Sequence, residues 1–180
     1  MLVEILIVIV LTLVNGLLAM SELSVVSSRA ARLKVLQGEG NKGATVALKL
    51  QEDPGKFLSS VQIGITLVGV LSGAFSGATL GDRLGDGLVS AGIDPGIAMP
   101  LGVGVVVVII TYLSLIIGEL VPKQIALRDP ERIASRVAPL MAFIASVGAP
   151  LVWLLDVSGT LVLTILGQRG ETGERVTDEE

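Results

Sequence analysis

The stretch from Met99 to Ile117 limits the fold of this chain more than any other feature, because it contains no charged residue. As a helix, it comes close to the length of about 20 residues that crosses a bilayer. Three or four apolar runs of this kind occur in a chain that is 51% hydrophobic and 17% charged. A water-soluble domain of this size carries more charge and shorter apolar runs. The sequence therefore predicts an all-α integral membrane protein.

The stretch from Gly118 to Lys123 follows this run and carries the strongest functional signal in the sequence. Its carboxylate, Glu119, is expected at or near membrane depth. Pro122 cannot donate to the carbonyl of Gly118 in a helix, and its ring pushes that carbonyl away. A carboxylate beside a released backbone oxygen suggests a site for a hard cation. The alternative is that Glu119 lies at the interface and pairs with Lys123, four residues later.

The absence of cysteine and histidine from the sequence narrows the chemistry. It excludes disulfides, thiolate nucleophiles, serine–histidine triads and the usual zinc, copper and iron sites. A bound metal would be held by oxygen, which favours magnesium, calcium, manganese or an alkali ion. The sequence also lacks a phosphate-binding loop motif and a dinucleotide fingerprint. We therefore expect a protein that is not an enzyme, has no catalytic residues and binds no nucleic acid.

The first apolar run, Leu2 to Val26, is expected to be a retained transmembrane helix. A signal peptide is the alternative, but a basic n-region and a clear cleavage site are missing. Ser21 and Ser24 fall on one face of this helix, whereas Asn15 and Glu22 stack two turns apart on another. This polar side is expected to face inward. The simpler interpretations are serine hydroxyls bonded to their own helix, an interhelical hydrogen bond for Asn15 and an interfacial ion pair for Glu22.

The second apolar run, from Phe57 to about residue 80, also carries a polar face. Gln62, Thr66, Gly69 and Gly73 lie within roughly one side of a helix. Glycines at this spacing most often form a packing seam between membrane helices. Polar side chains in lipid need partners, so Gln62 and Thr66 are candidates for an ion pathway.

Charged residues between the apolar runs predict the topology. The segment 29–56 is rich in lysine and arginine, which is typical of a cytoplasmic loop, and a short helix is expected from Asn41 to Leu50. The segment 81–100 is acidic on balance and contains several glycines and two prolines, so an external loop is expected there. The N-terminus would then lie outside, and the third run would return to the cytoplasm.

The fourth apolar stretch, Val137 to Gly167, is interrupted by prolines and glycines. From the residues alone it is compatible with one kinked span, a re-entrant pair or helices lying in the interface. The last residues, Gln168 to Glu180, are polar and are expected to form a linker or a disordered tail.

Three motifs, in this order along the chain, resemble the transmembrane domain of the CNNM/CorC family. The motifs are Met20-Ser-Glu-Leu-Ser24, Phe57-Leu-Ser-Ser-Val-Gln-Ile-Gly-Ile-Thr66 and Gly118-Glu-Leu-Val-Pro-Lys123. The resemblance implies a domain of residues 1–167 that forms a homodimer within the lipid bilayer. It further implies three transmembrane helices, at about 2–28, 57–80 and 98–127, with short cytoplasmic helices and a juxtamembrane belt helix at about 137–167. Residues 168–180 would be a linker, with the C-terminus in the cytoplasm and the family's cytoplasmic CBS domains absent from this chain.

The same resemblance implies a function, namely magnesium efflux from a bacterial cell, coupled to sodium entry. Carried over residue by residue, the magnesium ligands would be Ser21, Ser24, Glu119 and the carbonyl of Gly118. Many relatives have asparagine where this chain has Gly69, so only a backbone oxygen is available there. Sodium or pathway roles would fall to Asn15, Glu22, Gln62 and Thr66, and Pro122 and Lys123 would form the structural break.

The predicted function is therefore alternating-access transport of magnesium across the bacterial inner membrane. The main alternative is a magnesium-sensing membrane anchor that controls cytoplasmic domains without transport. Polar residues on three separate helices favour transport, because an anchor does not need them. A passive channel would need a continuous polar path, against which the apolar run from Gly102 to Ile110 argues.

Overall fold

The computed structural model describes residues 2–165, and within this range every regular element is helical. Four helical stretches are long and apolar enough to cross a membrane, which confirms the prediction of an all-α, multi-pass membrane protein. They are Leu2–Ser27, Pro54–Ser90, Pro95–Arg128 and Pro130–Ile165. The predicted tail, 168–180, and the last two residues of the predicted belt lie outside the described range.

The elements follow one another through short connections. In chain order they are α1 (Leu2–Ser27), α2 (Ala30–Gly38), α3 (Lys42–Glu52), α4 (Pro54–Ser76), a first π-helical segment (Gly77–Gly81), α5 (Asp82–Ser90), α6 (Pro95–Leu115), a second π-helical segment (Ile116–Leu120), α7 (Val121–Arg128) and α8 (Pro130–Ile165). Each π-helical segment joins two α-helices without a break, so that α4 continues into α5 and α6 continues into α7.

Local sequence signals explain where several helices begin. The side-chain oxygen of Asn41 caps α3 by accepting two first-turn N–H groups at 3.0 and 3.2 Å. Asp94 caps α6 in the same way at 2.8 Å, and Pro95 occupies the first helical position. The helix that begins after Asn41 is the short helix expected in the basic segment, and it extends two residues beyond Leu50.

The segment 81–100, expected to be a loop, is largely helical, and that prediction was wrong. α5 occupies Asp82–Ser90, and only a short turn separates it from α6. This turn uses Gly92 at a φ of 94°, a conformation that favours glycine. Gly81 and Gly85 have a different purpose, which is to let α6 approach closely.

Residues 77–103, here called the hairpin end, are held together by glycine contacts between α5 and α6. A Cβ atom added to Gly102 would lie 2.7 Å from the carbonyl oxygen of Gly81 and closer still to the backbone nitrogen of Gly85. Arg83 also donates to Glu4 at 2.8 Å and so connects α5 to the start of α1. The helices therefore pack here at backbone distance.

The opposite end of the bundle, here called the basic end, consists of α2, α3 and the start of α8. Gln51 of α3 donates to the carbonyl oxygens of Val25 and Ser28 at 2.8 Å each. The buried carboxylate of Glu131 accepts from the backbone N–H of Arg29 at 3.2 Å. These bonds satisfy backbone groups where α1 ends and α2 begins, and they fix the basic end to α1.

The core lies where α1 packs against α4 and α8. Leu18, Val25, Phe57 and Met141 are all buried in one hydrophobic cluster. Leu18 approaches α4 at Gly64, where an added Cβ atom would lie 3.1 Å from the leucine Cδ1 atom. α1 is therefore the central helix, and its position depends on small residues in the helices around it.

The fourth apolar stretch forms a single helix, α8, that begins at Pro130 and contains Pro139 and Pro150. Its first half is packed into the core, with Ala134, Ala138 and Met141 buried. From about residue 153 onward it is exposed on nearly all sides. The belt position of this helix, along the membrane rather than across it, stays a prediction.

Candidate functional site

The second π-helical segment, Ile116–Leu120, lies next to the sequence motif that suggested a cation site. Pro122 follows it within α7 and has no N–H group to donate to the preceding turn. The carbonyl oxygen of Gly118 instead accepts a hydrogen bond from the Asn15 side-chain amide at 3.1 Å. The released carbonyl predicted from the sequence therefore has a partner on α1.

Two glycines allow α1 to approach this break. A Cβ atom added to Gly118 would lie 3.2 Å from the carbonyl oxygen of Thr12. One added to Gly16 would lie 3.0 Å from Pro122 Cγ and 3.1 Å from the carbonyl oxygen of Ile117. The backbone of α1 thus lies directly against the π-helical segment, and this closeness brings the Asn15 side chain to Gly118.

Glu119 forms an ion pair with Lys123, which lies one turn later in α7. Its Oε1 atom accepts from Lys123 Nζ at 2.7 Å, across the position of Pro122. The side chains are 37% and 34% exposed for Glu119 and Lys123, respectively. The i, i+4 pairing that the sequence allowed is therefore present, and the carboxylate also borders a cavity.

A cavity of about 220 Å³ lies between α1, α4 and α6 beside Glu119. Its polar lining comes from all three helices and the second π-helical segment: Asn15, Ser72, Thr111, Ser114 and Glu119. Gly69 and Gly73 leave part of the α4 wall without side chains. Within the described residues, no group of three or more acidic side chains comes together, so Glu119 supplies the charge of this site.

Two buried oxygen atoms of this lining have no hydrogen-bond partner in the described part of the chain. They are Asn15 Oδ1 and Ser72 Oγ. A buried polar atom without a partner is costly, and in a native protein it commonly marks a place for water, an ion or a ligand. Together with the carboxylate of Glu119, these two atoms form an oxygen-only set of possible ligands for a hard cation.

The serines predicted as ligands lie on α1, towards the basic end from Asn15. Ser21 and Ser24 are both fully buried. Ser21 Oγ donates to the Leu17 carbonyl at 2.6 Å, and Ser24 Oγ donates to the Ser21 carbonyl at 3.0 Å. Each hydroxyl proton is thus used within α1, but each oxygen keeps a lone pair. The cavity lining contains neither serine, so their role as ligands stays a prediction.

The remaining candidate residues are spread over α1 and α4. Gly69 borders the cavity, and an added Cβ atom there would meet no atom within 4 Å. Gln62 and Thr66 lie on an exposed face of α4, whereas Glu22 is half-buried near the basic end of α1. The structure thus brings Asn15, Gly69, Gly118 and Glu119 together around one cavity or its edge.

Sequence reasoning missed three residues of the lining, Ser72, Thr111 and Ser114. Ser72 directly precedes Gly73 of the predicted glycine seam, and nothing in the sequence distinguishes it there as a ligand. Thr111 and Ser114 are separated by three positions within the uncharged run, and helical geometry places them on the same side as Gly118. Their position on the same side of the helix as Gly118 indicated that they could contribute to the site. It did not indicate which other helix faces them.

Comparison with known proteins agrees with the motifs. The family model described as the cyclin M transmembrane N-terminal domain, CNNM, matches residues 5–180. The chain belongs to this family. The match confirms the resemblance seen in the three sequence motifs and covers every cavity residue described above.

Several CNNM relatives share much of the sequence. The UPF0053 protein sll0260 of Synechocystis is 47% identical over 98% of this chain and 40% of its own length. A polyamine export protein of Escherichia coli K12 is 36% identical over 92% of this chain and 37% of its own length. One from Haemophilus influenzae is 31% identical over 84% of this chain and 35% of its own length. The chain thus spans about two fifths or less of each relative.

Proposed function

We propose that this CNNM domain transports a cation across the membrane, with Mg²⁺ as the cargo. The observation that carries the proposal is the cavity that Glu119 lines together with Asn15 and Ser72, whose side-chain oxygen atoms have no partner among the described residues. A carboxylate among helices of a membrane protein is a functional-site candidate by default. Three helices contribute to the lining, so a relative movement of these helices would open and close the site.

The chemistry of the lining favours Mg²⁺ among hard cations. Mg²⁺ prefers about six oxygen ligands and keeps several of its own waters, whereas Ca²⁺ sites use more protein oxygens and often several carboxylates. A volume of about 220 Å³ accommodates an ion with part of its hydration shell, since each water occupies roughly 30 Å³. Glu119 would supply the charge, and Asn15 and Ser72 would supply neutral oxygen.

The remaining predicted residues enter the proposal as parts of the path. Ser21 and Ser24 lie between the cavity and the basic end, where a lone pair on each hydroxyl would face an approaching ion. The basic end would lie in the cytoplasm of a bacterial cell, as its lysines and arginines indicate. Export would then run from the basic end to the hairpin end. In this scheme the domain acts as a homodimer, and cytoplasmic domains of a longer chain regulate it.

Sodium entry would supply the energy, with Gln62 and Thr66 as the residues that meet the sodium ion. Their support is their position on an exposed face of α4, where polar side chains in a membrane need a partner. If Mg²⁺ flux proved independent of an imposed Na⁺ gradient, this part of the proposal would be dropped.

Polyamine export is the second candidate, because several relatives carry that name, among them those of Haemophilus influenzae and Escherichia coli. A polyamine bears several ammonium groups along its length, and its recognition calls for several carboxylates or aromatic faces. The cavity contains one carboxylate and no aromatic side chain among its lining residues. This geometry fits a single compact cation better than an extended one.

Flux through proteoliposomes tests the proposal and separates the candidates. The chain is reconstituted with a fluorescent Mg²⁺ indicator inside, and influx is followed with and without a Na⁺ gradient and with excess spermidine. We expect Mg²⁺ flux from wild type and from Glu52→Gln, an exposed carboxylate at the basic end, and at least a hundredfold loss in Glu119→Gln. Flux of labelled spermidine but not of Mg²⁺ would favour the second candidate. Binding of Mg²⁺ without flux would favour a sensing anchor.

A further inference from the structure

If Glu119 binds a cargo cation, its ion pair with Lys123 competes with that cation for the same carboxylate. The Lys123 ammonium lies 2.7 Å from Glu119 Oε1, which is a direct, charge-assisted hydrogen bond. Glu119 borders the cavity, but Lys123 is not part of the lining. The ammonium thus reaches the carboxylate from the edge of the site and occupies one of the oxygen atoms that a metal ion would need.

We propose that Lys123 is a tethered cation that neutralises Glu119 while the site holds no cargo and leaves the carboxylate when Mg²⁺ binds. The inference rests on the proposed function, because it assigns a second state to the same carboxylate. Lys123 is a positioning residue in this scheme, since it acts on the cargo only through Glu119.

In the empty site, Glu119 needs a counter-charge. A carboxylate without a counter-charge among apolar helices is expensive, and a transporter must return through its empty state in each cycle. The cavity lining contains no charged side chain other than Glu119, so Lys123 is the counter-charge that the structure places beside this carboxylate. Pairing with Lys123 therefore gives the empty site no net charge.

The geometry also allows the pair to open. Each side chain is about one third exposed, and such partly solvated pairs contribute little to folding. Lysine carries a compact charge on a flexible four-carbon stem, which can move away without moving the helix. A static clamp between the π-helical segment and α7 is the competing explanation, and it makes a different prediction for cation affinity.

Titration calorimetry with MgCl₂ distinguishes the two explanations. The variants are Lys123→Met and Lys123→Gln, which remove the charge, and Lys123→Arg, which keeps it. Lys56→Met is the matched control, since Lys56 pairs with Asp53 at 3.2 Å on the exposed surface. We expect roughly tenfold tighter Mg²⁺ binding in both neutral variants, because the competing ammonium is gone. Lys123→Arg and Lys56→Met should bind Mg²⁺ as wild type does.

A second readout comes from the flux assay described above. The neutral variants should bind more tightly yet turn over several-fold more slowly, because their empty site carries an unpaired carboxylate. A clamp would instead lower affinity and flux together. If wild type binds Mg²⁺ and neither neutral variant binds it more tightly, the tethered-cation proposal is wrong while the proposed function stands. If wild type binds no Mg²⁺, both fall.

Discussion

The two π-helical segments of this protein have the same length and a similar place in the fold, but different surroundings. The first, Gly77–Gly81, joins α4 to α5, and the second, Ile116–Leu120, joins α6 to α7. At the first, a Cβ atom added to Gly81 would lie 2.8 Å from Val103 Cα, so the backbone of α6 packs directly against the π-helical turn. Beside the second lies a cavity with a carboxylate at its edge.

The comparison shows that a π-helical turn does not by itself make a binding site. At the first segment, glycines let the α6 backbone approach on one side, and the cavity that Leu80 borders is lined by apolar side chains and Thr12. At the second, α1 approaches at slightly larger distances, and the neighbouring cavity is lined by hydroxyl, amide and carboxylate oxygen. The difference lies in the side chains around the turn, and each prediction below alters one of the two surroundings.

The largest effect is expected from Gly102→Ala at the hairpin end. The new methyl group would lie 2.7 Å from the Gly81 carbonyl oxygen, so the backbones of α5 and α6 must separate. We expect a loss of about 3 kcal/mol in unfolding free energy, measured by denaturant titration in detergent with circular dichroism. Gly104→Ala is the control, since nothing lies within 4 Å of its added Cβ atom. Equal stability of the two variants would contradict the close packing.

A smaller effect, on binding rather than folding, is expected from Asn15→Leu. The variant removes both the hydrogen bond to the Gly118 carbonyl and the unpartnered oxygen of this lining residue. Mg²⁺ affinity should fall roughly tenfold in calorimetry. Asn15→Asp keeps an oxygen at the cavity but loses the amide donor, and it should retain Mg²⁺ binding. Equal loss in both variants would mean that Asn15 acts only by holding Gly118.

Ser72→Ala should have a weaker influence on Mg²⁺ binding. One neutral oxygen is lost, so we expect a three- to fivefold decrease in affinity, which is about 1 kcal/mol. Folding should be unchanged or slightly improved, because a buried hydroxyl without a partner disappears. Ser76→Ala is the control. Ser76 is also a serine of α4, just before the first π-helical segment, but its hydroxyl has a partner, since it donates to the Gly73 carbonyl. A larger loss of Mg²⁺ affinity in Ser76→Ala than in Ser72→Ala would contradict the assignment of the binding site to the second π-helical segment.

The smallest effect is expected from Gly69→Ala. Its added methyl group meets nothing within 4 Å, and alanine favours a helix over glycine by about 1 kcal/mol. Thermal stability should therefore stay the same or rise slightly, and Mg²⁺ affinity should change less than twofold. A strong loss of affinity would instead show that the added methyl group obstructs an ion held at the bare Gly69 backbone, where the family resemblance places a carbonyl ligand.

Much of the fold could be predicted from sequence because long apolar runs are typical of membrane helices. The short helix expected from Asn41 to Leu50 is likewise present, as α3. The prediction of a loop over 81–100 was wrong because a high glycine content is found both in loops and where two helices pack closely. The two cases differ in whether another helix lies against the glycines, which the composition does not show.

The site was predictable in part for the same reason. Glu119, Pro122 and Lys123 are neighbours along the chain, so their geometry follows from helical periodicity. Ser72 belongs to another helix, and its approach to the cavity depends on the rotation of α4 relative to α6. This relative orientation cannot be predicted from the sequence of a single chain, and for this reason Ser72 was missed.

The most direct test of the account is to locate the cation itself. Mn²⁺ prefers the same oxygen ligands as Mg²⁺ and scatters X-rays anomalously. We expect crystals grown with Mn²⁺ to show one anomalous peak within bonding distance of Glu119, on the side of Asn15 and Ser72, with Lys123 turned away. A peak beside Ser21 and Ser24 but distant from Asn15 and Ser72, or peaks only at the basic end, would contradict the proposed cavity site.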